Sequence, residues 1–257
     1  NLLKIQQATT FSGVPYIYEM LKKLRFARMN LPSIRCMTQA GGKLSKELSA
    51  EFSEACAQKG IEFIVMYGQT EATARMSYLP WEYAECKAGS IGIAIPGGKF
   101  SLIDDDGKGI IESDISGELI YTGDNVTLGY AQGWADLNKG DENNGILHTG
   151  DMAKRDDDGF YYIVGRKKRF LKLFGNRVNL DEVEGLLNCA GYKCVCAGVD
   201  DHLKIYLTDK SQMEEARSFI SQKTGLNLAG FISIFIKEIP RNEAGKVLYS
   251  KLEELYG

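Results

Sequence analysis

The chain has 257 residues, room for one large or two ordinary domains of about 100–200 residues each, so it can bury a core without disulfide or metal staples. Its 31 basic and 34 acidic side chains leave a formal charge of −3, which speaks against a dedicated nucleic-acid binder, since phosphate neutralisation needs a basic surplus. Hydrophobic residues at 44% and charged residues at 25% speak against a disordered or fibrous chain.

Over the first 88 residues, helix-like and strand-like segments alternate. Pro15 suits the first turn of a helix whose Ile17, Met20, Leu21 and Leu24 follow i, i+3, i+4, i+7 spacing. The stretch IRCMT reads as a strand leading to Gly41 and Gly42. Ser45 then opens a helix with Leu48, Phe52, Ala55 and Cys56 on one face, Gly60 closes it, and IEFIVMYG reads as a buried strand. Strand, loop, helix, strand is the pattern of a parallel α/β layer, whose functional loops lie at the carboxyl ends of the strands. Those ends are Gly41-Gly42 and the segment YGQTEA.

From Gly89 to Val164 the short segments IGIAI, FSLI, GELIY and FYYIV are divided by acidic glycine turns, DDDGKG and RDDDGF, as in hairpins. This predicts a β subdomain, either small and β-barrel-like or a sandwich. After GRKKR, Asn179 with Glu182 and Ser211 with Glu214 have capping-box spacing, opening helices that end near Gly191 and Gly225. VCAGV, KIYLT and FISIFI read as strands between and after them. The fold class expected is therefore α/β plus α+β, with residues 1–167 forming part of a large domain (α/β over 1–88, β over 89–167) and residues 168–257 a small α+β domain.

No apolar run nears the roughly 18 residues needed to cross a bilayer, and the opening NLLKIQQATTFSG lacks the layout of a secretory signal, so the expected compartment is the cytoplasm. Cys36, Cys56, Cys86, Cys189, Cys194 and Cys196 form no C-x-x-C pair and are joined only by His148 and His202. Zinc-site spacing is absent, and the thiols are expected to serve as small reduced hydrophobes.

Three segments carry chemistry. YGQTEA sets Tyr67, Gly68, Gln69, Thr70 and Glu71 just past a buried strand. An aromatic face can cover a planar base, Thr70 can bond a phosphate oxygen, and Glu71 can hold Mg²⁺, a hard ion that prefers oxygen; the same residues also describe a polar loop with a satisfied carboxylate. In HTGD, Asp151 follows a small Thr-Gly turn, and a lone carboxylate suits two ribose hydroxyls. Asp156 to Asp158 read as a solvated hairpin turn rather than a metal cluster. GRKKRFLK, with five cations in eight residues, reads as a charged hinge facing an anionic ligand. In IPRNEAGKVLYSKL, Lys246 stands on a glycine loop after an apolar strand, where a flexible ammonium can reach a phosphate or carboxylate, although alone it is one surface lysine among many.

In this order and spacing, YGQTEA, GELIYTGDNVTLGY, GILHTGD, YYIVGRKKRFLKLFGNRVNLDEVE and PRNEAGK resemble the motifs of the adenylate-forming superfamily of acyl- and aryl-CoA synthetases, adenylation domains and luciferases. The resemblance runs from about Gly13 to Leu252. It implies an AMP-forming ligase that uses ATP, Mg²⁺ and CoA to activate a carboxylate as an acyl-adenylate, with no protein nucleophile. The sequence agrees, since it singles out no Ser-His-Asp or Cys-His set. By that resemblance Gly41, Gly42 and Tyr67 flank the adenine, with Gly68 and Gln69 in the same motif; Thr70 meets the α-phosphate and Glu71 the Mg²⁺. Asp151 holds the ribose hydroxyls and Arg166 the ribose or phosphate. Lys168 is the hinge of a mobile C-terminal domain, and Lys246 touches the substrate carboxylate and α-phosphate during adenylation. Lys172 and Gly175 serve thiol transfer.

Two departures stand out. Arg169 occupies a place where relatives usually carry an acidic or small polar residue, and no Ser/Thr/Gly-rich loop ending in Pro-Lys occurs, so the chain is expected to be the C-terminal half of a longer synthetase. The alternatives are an adenylation enzyme that loads the phosphopantetheine of a carrier protein, and a nucleotide-binding fragment without turnover. Fatty, aromatic, amino and small carboxylates all remain open as substrates.

Overall fold

A computed structural model describes residues 2–242 and 245–256. It divides the chain into two compact units, the first ending at Ile163 and the second starting at Val164. Glu243 and Ala244, inside the predicted PRNEAGK motif, lie outside the described residues.

The first unit opens with α1 (Leu2–Ile5), β1 (Thr10–Gly13), α2 (Pro15–Lys23), β2 (Cys36–Gln39), α3 (Lys46–Ala57), β3 (Glu62–Tyr67), β4 (Ser77–Leu79) and β5 (Ile93–Ala94). These strands form one sheet in the order β1-β2-β3-β4-β5. The ladders β1–β2 and β2–β3 are parallel and the next two antiparallel. Ser45 caps α3 by accepting from the Leu48 N–H at 3.1 Å, and Leu48, Phe52, Ala55 and Cys56 are buried as their spacing predicts. The predicted α2 stripe shifts: Leu24 falls beyond the last turn and is 65% exposed, while Tyr18, absent from the predicted face, is fully buried. Tyr18 packs edge-on to Phe52 with centroids 4.9 Å apart, and its hydroxyl donates to the Thr38 carbonyl at 2.7 Å. A tyrosine with its one polar group satisfied serves as a core residue.

The same unit continues with β6 (Lys99–Ile103), β7 (Gly109–Ile110), β8 (Gly117–Thr122), β9 (Ile146–Arg155) and the start of β10 (Tyr161–Arg166), whose residues from Val164 on belong to the second unit. Their order is β10-β9-β8-β6-β7, so this sheet has two ends. IGIAI departs from expectation: its β5 residues pair with β4 in the first sheet. Gly92 explains this, because a Cβ there would lie 1.9 Å from the Tyr78 carbonyl oxygen, and only glycine lets the chain press against β4. The Thr-Gly turn predicted before Asp151 is instead part of β9. Glu118 pairs with Met152 and Ile120 with His148, so Thr149, Gly150 and Asp151 together face the single residue Leu119 as a bulge.

After the end of β10 the second unit has a tight turn at Lys167–Arg169, followed by β11 (Phe170–Leu173), β12 (Asn176–Asn179), α4 (Leu180–Cys189), β13 (Cys194–Val199), β14 (His202–Leu207), α5 (Met213–Thr224), β15 (Phe231–Phe235) and α6 (Tyr249–Tyr256). β11 and β12 form a hairpin; β13–β14 is antiparallel and β14–β15 parallel. Alternate β13 residues serve two cores. Cys194 and Cys196 pack with Leu187 of α4 and Ile220 of α5, while Val195 and Ala197 pack with Leu252 of α6. Asn179 caps α4 by accepting from the Asp181 N–H at 3.0 Å. Ser211 does not cap α5: Asp209 accepts from both its N–H and its hydroxyl, which spends Ser211 in a short turn, and α5 starts at Met213 without a side-chain cap. Gly225 ends α5 at φ +70°. Cys56, Cys194 and Cys196 are buried, but Cys86 and Cys189 are exposed and so are not the core hydrophobes expected. Among the described residues, no helix is long and apolar enough to cross a membrane.

Candidate nucleotide site

In the first unit the predicted residues converge at the carboxyl ends of β2 and β3. Gln39 pairs with Val65 across these neighbouring parallel strands, so Gly41-Gly42 and Tyr67-Gly68 leave the sheet at the same edge. The buried Gln39 amide donates to the Gly42 carbonyl at 2.9 Å and pins that turn. Gly68 must be glycine because a Cβ would sit 2.4 Å from the Ala74 carbonyl oxygen.

Asp151 lies 84 residues from Tyr67 in sequence, yet the two touch: the Tyr67 hydroxyl donates to Asp151 Oδ2 at 2.7 Å. Gln69 Nε2 donates to the same oxygen at 3.0 Å and to the Thr149 carbonyl at 2.9 Å. The bulge in β9 aims this carboxylate, and the Thr149 hydroxyl anchors it by donating to the Leu119 carbonyl at 2.7 Å. Asp151 is 3% exposed. A buried carboxylate is tolerated where donors meet it, and here two neutral donors fix one oxygen.

Thr70, exposed, and Glu71, half-buried, stand in the tight turn Thr70–Ala72. The residues after it, Thr73 and Ala74, have φ of 48° and 66°, a left-handed conformation unfavourable to side chains with a Cβ. Asn125 holds the turn by donating to the Ala72 and Arg75 carbonyls at 2.8 and 3.0 Å, and the Thr127 N–H donates to the Glu71 carbonyl at 2.8 Å. The Tyr130 hydroxyl donates to Glu71 Oε1 at 2.6 Å. That bond, which keeps the proton on the phenol, raises the Tyr130 pKa above its ordinary value.

The remaining predicted residues belong to the second unit. Arg166 ends β10. Lys172 lies on β11 and Gly175, at φ +86°, in the hairpin turn that follows. Asp200 and Asp201 hold this hairpin, accepting from the Lys172 and Phe174 N–H groups at 2.7 and 2.6 Å. Lys246 is exposed on a loop closed by its own N–H donating to Asn242 Oδ1 at 2.9 Å. Of the five cations in GRKKRFLK, Arg169 does not face outward: it pairs with Asp181 and Glu184. Asp156 is a turn residue, as read, accepting from the Asp158 and Phe160 N–H groups. A cleft of about 460 Å³ in the first unit is lined by Lys43, Lys46, Lys154 and Tyr162 and includes none of the cluster above.

Sequence reading named Tyr67, Gln69, Glu71 and Asp151 but overlooked Gln39, Asn125, Tyr130 and Thr149. Asn125 and Tyr130 lie within GELIYTGDNVTLGY, so their motif was visible while their targets, about 50–60 residues away, were not. Gln39 gave one signal, a polar side chain at the end of an apolar strand beside two glycines.

Residues 1–131 match the AMP-binding enzyme family. The chain is 30% identical to the 2-succinylbenzoate–CoA ligase of Bacillus cytotoxicus, an alignment covering 98% of this chain and 54% of that protein. It is 27% identical to a long-chain-fatty-acid–CoA ligase of Escherichia coli, covering 96% and 45%. The fold is similar to O-succinylbenzoate coenzyme A synthetase from Bacillus subtilis in complex with ATP and magnesium ion, with TM-score 0.76, 25% identity and coverage of 98% and 52%. It is also similar to an amide bond synthetase from Marinactinospora thermotolerans, with TM-score 0.75, 20% identity and coverage of 99% and 53%. The chain spans about half the length of the curated relatives it matches.

Proposed function

Since the chain belongs to the AMP-binding enzyme family, we propose that it acts in AMP-forming acid–thiol ligation. A substrate carboxylate oxygen attacks the α-phosphorus of ATP, and pyrophosphate leaves. The thiol of CoA then attacks the acyl carbon of the adenylate, and AMP leaves. The observation that carries this reading is the meeting of Tyr67, Gln69 and Asp151, which presents one buried, oriented carboxylate beside an aromatic ring at the ends of parallel strands. Such an acceptor suits the paired hydroxyls of a ribose.

Glu71 fits Mg²⁺ by the chemistry of its surroundings. It offers one hard carboxylate, half-buried on a turn that the Asn125 side chain and the Thr127 N–H hold. Mg²⁺ is usually held in that way, through one or two carboxylates with substrate phosphates and water. Bound there, the ion would offset charge on the phosphoryl oxygens. Thr70 would donate to the α-phosphate, while Gly41 and Gly42 leave room for the base. Arg166 and Lys246 would supply positive charge to the adenylation step, and Lys172 with Gly175 would serve the thiol step, with the second unit moving about Lys168. Catalysis of this kind is positioning and charge neutralisation.

The test is exchange of labelled pyrophosphate into ATP. Exchange that requires both Mg²⁺ and a carboxylic acid, followed by thioester formation when CoA is added, is the expected result. AMP binding with no exchange for aryl, fatty, amino or short-chain acids would reduce the protein to a nucleotide-binding module.

A further inference from the structure

The second unit contains a cation that the ligation reading leaves without a task. Arg169 ends the Lys167–Arg169 turn, and its side chain is only 13% exposed. Its Nε donates to Asp181 at 2.5 Å, one terminal nitrogen to Glu184 Oε1 at 2.5 Å, and the other to the Cys196 carbonyl at 3.1 Å. The guanidinium lies over the Tyr249 ring, 3.9 Å from its centroid. Glu184 also accepts from the Cys196 N–H at 2.6 Å and from the Tyr249 hydroxyl at 3.1 Å. One guanidinium thus joins a turn, α4, β13 and the first residue of α6.

Tyr249 stands three residues beyond Lys246. The loop between them and Pro240 is a small hairpin: Arg241 bridges Val247, the Asn242 N–H donates to the Lys246 carbonyl at 2.9 Å, and the Leu248 N–H donates to the Pro240 carbonyl at 2.9 Å. Lys246 itself is exposed, so the base of its hairpin determines where the ammonium can reach. That base has an apolar anchor, Leu252 of α6, buried beside Val195, Ala197 and Tyr206. Its polar anchor is Tyr249.

We infer that Arg169 is a positioning residue for Lys246, clamping Tyr249 between its guanidinium and Glu184 and thereby fixing the hairpin on which the lysine stands. The inference rests on the adenylation role proposed for Lys246. The electrostatics agree with the geometry. Burial opposes a charged guanidinium, but Glu184, Tyr249 and Asp181 outweigh it and hold the Arg169 pKa above its ordinary value. Lysine cannot replace this planar fork, which binds two carboxylates and stacks on a ring at once.

A double-mutant cycle in the whole protein tests this. Arg169→Met should lower acid-dependent pyrophosphate exchange by about tenfold or more, because small displacements of a reacting group are costly. In a Lys246→Ala background the same change should add less than roughly twofold, the sign of coupled residues. Arg169→Lys, which keeps the charge under the ring, should give an intermediate loss that is also absent in the Lys246→Ala background; it carries the cycle if Arg169→Met does not fold. Losses that add to that of Lys246→Ala, or unchanged exchange, would overturn the proposal, since a merely structural arginine has no reason to couple to one lysine. A second readout is independent of the ligase reading: trypsin cleavage after Arg241 and Lys246 should accelerate in the Arg169 variants. If the parent protein shows no exchange, the ligase reading falls and this arm still decides whether Arg169 holds the hairpin, with unchanged cleavage ruling it out.

Discussion

The two units hold their candidate groups in opposite ways. In the first, Tyr67 at the end of β3, Gln69 and Glu71 in the segment that follows it, and Asp151 from β9 are pinned by neutral donors and by a bulge, with the central carboxylate buried. In the second, Lys246 is exposed on one hairpin and Lys172 on another; Tyr249 with Glu184 holds the base of the first, and Asp200 with Asp201 holds the turn end of the other. A rigid set of acceptors can fix a ligand's position, whereas a long ammonium side chain on an anchored hairpin is a movable point charge. The proposed function assigns binding to the first unit and charge supply to the second, and each unit can be perturbed to test that separation.

The largest effect belongs to the second unit. Lys246→Ala should reduce pyrophosphate exchange by about 10²–10³-fold, the usual scale for removing one preorganised charge donor, while AMP binding stays within roughly twofold. Comparable loss of both would erase the separation. Next is Tyr67→Phe, which removes a charge-assisted bond to Asp151; it should weaken AMP binding by about 1.5–3 kcal/mol in a calorimetric titration without shifting the ratio of the two half-reactions.

Tyr130→Phe should be smaller and of opposite sign. Its hydroxyl competes for the Glu71 oxygen assigned to Mg²⁺, so losing it should lower the Mg²⁺ concentration required by up to about tenfold. A weaker response to Mg²⁺ would mean that the phenol orients Glu71 instead.

The smallest effect concerns stability. Burial raises the Asp156 pKa, but the Lys87 ammonium, 2.9 Å away, together with the Phe160 N–H and the Tyr162 hydroxyl outweighs it, and the net pKa lies below the ordinary carboxylate value. A depressed carboxylate contributes stability above its unfolded pKa, about 3.9, and loses that contribution as pH falls through the folded value. Lys87→Met should therefore flatten the acid limb of a thermal-midpoint profile below about pH 4 and leave AMP affinity unchanged.

Local chemistry made much of the fold readable. The α3 face, its Ser45 cap, the strands β2 and β3, and Gly225 at the end of α5 follow from neighbours a few residues apart. Ser211 failed as a cap because Asp209, equally local, takes its hydrogen bonds first. What could not be read depends on pairing between distant strands. The register that makes Thr149–Asp151 a bulge, and the close approach of Gly92 to Tyr78 that carries β5 into the first sheet, are settled only when β8 meets β9 and the chain presses on β4. The site divides along the same line. Motifs supplied Tyr67, Glu71 and Asp151 by type, whereas the bond from Tyr67 to Asp151 and the one from Tyr130 to Glu71 required the folded chain.

The most direct test is the thermal midpoint of this chain with and without AMP, beside Asp151→Ala. At 100 times its dissociation constant AMP should add about 2.7 kcal/mol of stability to the parent chain. The substitution should abolish that gain. An equal midpoint rise in both proteins, or none in the parent, would contradict the assignment of Asp151 and its two donors as the nucleotide anchor.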